Sequence, residues 1–120
     1  MIGGMYAASS AMRAYSTVMD VTGNNIANVN TRGFTAKSAT LAEQSPSGVK
    51  VSSIRDASIP APHIQSAYKN SESFIAHRMS NVDVGREKLN EIVSLRSVQA
   101  NSATIRTTDD MLGTIINMKA

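Results

Sequence analysis

The apolar positions at the start of the chain recur with a helical period. Met1, Met5, Ala8, Met12, Tyr15, Met19, Thr22, Ile26 and Val29 succeed one another at steps of 4 and 3, the heptad spacing of a stripe that one helix buries against another. Ala, Ser, Arg and Asp fill the positions between them. This predicts a helix from the N-terminus to at least Ile26. Its first turn is weakened by Gly3 and Gly4, each roughly 1 kcal/mol poorer than Ala in a helix. Gly23, Asn24, Asn25, Asn28 and Asn30 then supply residues that adopt left-handed backbone angles or cap with their side chains. Gly33 adds a further turn before Phe34.

A second helical pattern occupies the C-terminal third. Ser80-Asn81-Val82-Asp83 has the spacing of a capping box, with Ser80 covering a free N–H, Asp83 answering from the first turn, and Met79 and Val84 as the accompanying staple. The stripe that follows runs Val82, Leu89, Ile92, Leu95, Val98, Ser102, Ile105, Asp109, Leu112 and Ile116, while Met111, Ile115 and Met118 open a second stripe beside it. Apolar surface on two sides of a helix exceeds what one partner helix covers, which predicts assembly with other subunits. Four Asn residues between positions 24 and 30 are more than one helix end requires. Their amides donate and accept at once, and Asn24, Asn25, Asn28 and Asn30 are therefore expected to make subunit contacts.

Residues 31–79 lack a helical period. Ser45-Pro46-Ser47-Gly48 reads as a turn, and Pro60 and Pro62 forbid a helix around them. Val49, Val51 and Ile54 suit a short strand, with residues near Phe74 to His77 as its expected partner. The expected architecture is mainly α. Residues 1–30 and 80–120 form a core in which the terminal helices pair as an antiparallel coiled coil, and 31–79 form a short irregular or β-containing central segment. Met5, Met12, Met19, Ile26, Leu89, Ile92, Leu95, Ile105, Leu112 and Ile116 are the expected helix-packing residues.

Composition narrows the function. The 120 residues are 42% hydrophobic but only 4% aromatic, so the core is built from aliphatic side chains and Met, which suits elongated helical packing. The net charge of +3 is spread along the chain without Lys/Arg runs, unlike a nucleic-acid footprint. There is no Cys, so disulfides and thiolate metal sites are excluded. His63 and His77 have no partner at metal-ligand spacing. The adjacent carboxylates Asp109 and Asp110 point about 100° apart on a helix and do not converge on one atom. No nucleophile elbow or phosphate loop occurs. These readings propose no catalytic, cofactor or metal residue. No apolar run approaches the roughly 20 residues of a membrane span, and the N-terminus has no cleavable-signal pattern.

Two motifs carry a resemblance. Gly23-Asn24-Asn25-Ile26-Ala27-Asn28-Val29-Asn30-Thr31-Arg32-Gly33-Phe34 resembles the N-terminal motif of bacterial flagellar rod and hook proteins. Ser80 to Val84, Gln99-Ala100-Asn101 and Ile105 to Leu112 resemble their C-terminal motif. The short chain, with Gly48 to Val51 and Asn81 to Val84, is most similar to the C-type proximal rod branch. The resemblance implies a structural subunit of the basal-body rod. Such a subunit is exported unfolded through the flagellar type III apparatus without a cleaved signal. It then joins copies of itself and other rod proteins in the periplasmic tube that surrounds the export channel and transmits torque. The alternative is a helical-hairpin adaptor or chaperone of the export system that does not polymerise.

Overall fold

The computed structural model describes residues 2–57 and 79–119. In chain order the elements are helix α1 (Ile2–Ala27), strands β1 (Lys37–Glu43) and β2 (Val49–Asp56), and helix α2 (Val84–Lys119). The two helices pack together, antiparallel, and the β-hairpin lies against α1. The molecule is elongated, 80 × 24 × 14 Å.

Helix α1 ends where its Asn residues begin to serve as caps. The Asn28 N–H is shared between the Asn24 and Asn25 carbonyls at 3.2 and 3.1 Å, and its side-chain amide donates to the Asn24 carbonyl at 2.9 Å. Thr31 Oγ1 then donates to Asn28 Oδ1 at 3.1 Å. The last-turn carbonyls that a helix leaves open are thus filled locally. Gly33, at φ 72°, turns the chain toward β1.

The strand expected at Val49, Val51 and Ile54 is present as β2, and its partner among the described residues is β1. The whole of β2 pairs antiparallel with β1, from Lys37↔Asp56 to Glu43↔Val49. Residues 74–77, like His63 and His77, lie outside the described residues. The register slips between Thr40 and Leu41, because Thr40 faces Ser53 while Leu41 faces Val51. Ser52 is the extra residue of a β-bulge. The connection closes through Gln44 N–H to the Gly48 carbonyl at 2.9 Å. Gly48 sits at φ 115°, and a Cβ there would run into the Ser10 side chain. That closeness seats the hairpin: the Ser10 hydroxyl accepts from Val49 N–H at 3.1 Å and donates to the Ala7 carbonyl at 2.8 Å.

The start of α2 also differs from expectation. The helix begins at Val84 and its N-cap is Asp83, whose Oδ1 accepts from Arg86 N–H at 3.2 Å. Ser80 instead accepts from Val82 N–H at 3.3 Å, and Met79 and Val84 stay exposed rather than forming a staple. The cause lies in Asn81. Its buried amide takes the Ala36 N–H at 2.6 Å and reaches the Ala57 carbonyl at 3.4 Å. The chain at 81 is therefore drawn along the sheet, and the helix forms three residues after Ser80, where an equally good capping side chain stands.

Candidate functional site: an assembly surface

The helix–helix seam mixes small and polar side chains with large apolar ones. On α2 Glu87, Ser94 and Thr108 are buried and Glu91, Ser97, Val98, Asn101, Ser102, Ile105 and Leu112 half-buried, most of them at steps of 4 and 3. On α1 Ala8, Thr22 and Asn25 are buried, and Met5, Met12, Tyr15, Met19 and Ile26 are half-buried. Small residues let the helices approach. Two of the polar ones bond within their own helix: Thr108 Oγ1 donates to the Thr104 carbonyl at 2.8 Å, and Asn101 Nδ2 to the Ser97 carbonyl at 2.8 Å. Such back-bonding removes the desolvation penalty without linking one helix to the other.

The link between helices comes at one end. Asn25 is 0% exposed. Its Nδ2 donates to the Lys37 carbonyl at 2.7 Å and to Glu87 Oε1 at 3.0 Å, and its Oδ1 accepts from Lys37 N–H at 2.8 Å. One side chain thus mimics a neighbouring strand on the edge of β1 and provides a donor to the buried carboxylate of α2. Asn81, bridging Ala36 and Ala57, performs the matching task beside it. The polar cleft at this junction, about 480 Å³, is lined by Thr22, Lys37, Asp56, Asn81, Asp83 and Glu87, among others. Among the described residues no cluster of three or more His, Asp or Glu is placed to hold a metal ion.

This geometry corrects two expectations. Asn25 serves the interior of its own chain, not a neighbour, and Asn28 is occupied by the helix end; Asn24 and Asn30 are the exposed members of the set. The stripe of α2 is also turned. Ile105 and Leu112 are half-buried, but Leu89 (65%), Ile92 (55%), Leu95 and Ile116 (69%) are exposed and do not enter the hairpin seam. Val93, Met111, Ile115 and Met118 are exposed with them. The rotation of α2 follows from its first turn, where the Asn25–Glu87 bond points the polar side of the helix at α1. Period alone does not choose between a polar and an apolar stripe of the same spacing. The signal for the choice was Glu87, Ser94 and Asn101 standing a heptad apart.

The hairpin thus leaves several large apolar side chains of α2 exposed. Comparison with known proteins gives the class. The family described as flagella basal body rod protein matches residues 5–35, covering most of α1 and the Asn-rich turn. The family described as flagellar basal body rod FlgEFG protein C-terminal matches residues 76–118. The flagellar hook proteins FlgE of Escherichia coli (strain K12) and of Salmonella typhimurium are 45% identical to the chain over 40 residues, 33% of this chain and 10% of theirs. The match thus spans about a tenth of the length of these relatives. Both ends of the chain thus match families of flagellar rod proteins, which are structural proteins and not enzymes. Its place is the flagellum, and among the described residues no helix is long and apolar enough to cross a membrane.

Proposed function

We propose that the protein is a subunit of the basal-body rod that assembles through the outer surface of α2. The observation that carries this reading is the apolar exterior of α2 in a chain that matches rod families at both ends. Full burial of one Leu or Ile side chain contributes roughly 1.5–3 kcal/mol. Leu89, Ile92, Val93 and Leu95 are each about half exposed, so covering them together contributes to association. Copies of this chain and other rod proteins supply the cover, with Asn24 and Asn30 making polar contacts from the turn after α1. The helices line the tube around the export channel, in the periplasm, and the assembled rod transmits torque. Delivery runs through the flagellar type III apparatus. Within the family, Gly48 to Val51 and Asn81 to Val84 favour the C-type proximal rod branch. The matches to rod families at both ends favour this reading over a non-polymerising adaptor.

The test replaces outward-facing residues, so that folding is spared. In a strain carrying Leu89→Asp and Ile92→Asp, the protein is expected to be made and exported. Its helical circular dichroism should match wild type, the rod should stop short, and the cells should not swim. Normal rods and normal swimming in that strain would overturn the reading.

A further inference from the structure

Helix α1 carries a line of methionines along one side of its seam. Met5, Met12 and Met19 share one heptad position, and all three are half-buried. Ser10, which holds the hairpin through Val49, marks the side of α1 that faces the sheet. At about 100° per residue, the three methionines lie roughly 180–220° around α1 from Ser10. The hairpin is therefore on the opposite side, and their cover among the described residues comes from α2. The other described methionines, Met79, Met111 and Met118, are exposed. Asn25 bonds Glu87. Stepping back along α1 and forward along α2 from that bond, at a common rise of about 1.5 Å per residue, sets Met19, Met12 and Met5 roughly level with Ser94, Asn101 and Thr108. With Tyr15 and Ile26, these thioethers are the large side chains that α1 brings to the seam.

We propose that Met5, Met12 and Met19 form an oxidative modification site, at which hydrogen peroxide releases α1 from α2. At each sulfur one peroxide oxygen is transferred. An S–O bond forms, the O–O bond breaks, the sulfur gives up two electrons and water leaves. The product is a sulfoxide, polar where the thioether was apolar, and such a change disrupts methionine-rich contacts. To remain in the seam it must shed water without a partner in place. The Thr108 hydroxyl proton already serves the Thr104 carbonyl, so a sulfoxide on Met5 finds no spare donor there. Half-burial leaves the side chains within reach of a molecule as small as peroxide. The chain has no Cys and no Trp to consume the oxidant first. The change is reversible, because a sulfoxide reductase with a dithiol returns the thioether and releases a disulfide and water.

The test treats the purified protein with hydrogen peroxide below the concentration of self-association, with peptide mass locating each added oxygen. In wild type the urea midpoint and the helical circular dichroism should fall as sulfoxide accumulates at positions 5, 12 and 19. Both should return after methionine sulfoxide reductases and a dithiol. The variant Met5→Leu/Met12→Leu/Met19→Leu, which conserves side-chain volume, should keep its midpoint under the same treatment. Met79→Leu/Met111→Leu/Met118→Leu, altered only at exposed sites, should lose as much as wild type. Equal losses in the seam variant and wild type would overturn the proposal, as would a wild-type midpoint that peroxide does not move. Should the seam variant fail to fold, the three single Leu substitutions replace it. Each should remove part of the loss, and a full loss in all three would again overturn the proposal.

Discussion

Replacing Asn25 by Ala tests how this fold is held. The side chain is fully buried and makes three hydrogen bonds, two to the Lys37 backbone and one to the Glu87 carboxylate. Ala removes all three and leaves their partners in place. An unsatisfied buried polar group costs about 1–3 kcal/mol, and a charged one more. Lys37 lies on an exposed strand edge, so water replaces part of what its backbone loses. Glu87, itself buried, has far less access to water. The expected loss is therefore about 3–5 kcal/mol, a large share of the roughly 5–15 kcal/mol that holds an ordinary domain. Urea unfolding followed by circular dichroism, below the concentration of self-association, measures it. The companion Asn25→Ala/Glu87→Leu removes the stranded carboxylate, and it should recover part of the loss. A loss below about 1 kcal/mol for Asn25→Ala, or no recovery in the double variant, would refute the claim that this amide ties the two helices and the sheet together.

Other substitutions probe the supports on either side of that junction. Gly48→Ala forces a side chain onto a backbone at φ 115° and into Ser10. It should destabilise by about 1–3 kcal/mol, seen as a lower urea midpoint, with faster amide exchange across β1 and β2. Asp83→Ala removes the cap of α2 and should cost about 1 kcal/mol; Asp83→Ser or Asp83→Asn should restore most of it in the same unfolding assay. Thr108→Val keeps the shape of a buried seam residue whose hydroxyl bonds only within α2. It should leave stability within about 1 kcal/mol of wild type, because both the hydroxyl and its need for a partner disappear together.

The two helices and their packing as a pair were legible because they rest on period and on stop signals. The seam of α1 through Ala8, Tyr15 and Thr22 and the end of that helix among the Asn residues both follow from local rules. The rotation of α2 was not legible. Leu89, Ile92 and Leu95 are an apolar stripe by every local criterion, yet Glu87, bonded to Asn25 across 62 positions of sequence, turns them outward. The start of α2 failed for a related reason. Ser80 is a sound cap on its own, but Asn81 is claimed by Ala36 and Ala57, and no pattern along the chain reveals that. The partner of β2 was missed because Lys37 to Glu43 is poor in β-branched residues; pairing and the cover of α1, not propensity, make it a strand.

The central claim is that the outward face of α2 is covered by neighbouring subunits in the finished structure. Maleimide labelling of Leu89→Cys compares the purified protein with isolated basal bodies that contain it. The account predicts rapid modification of the free protein, where the site is 65% exposed, and strong protection in the basal body. Thiol reactivity that is equally fast in both would contradict it.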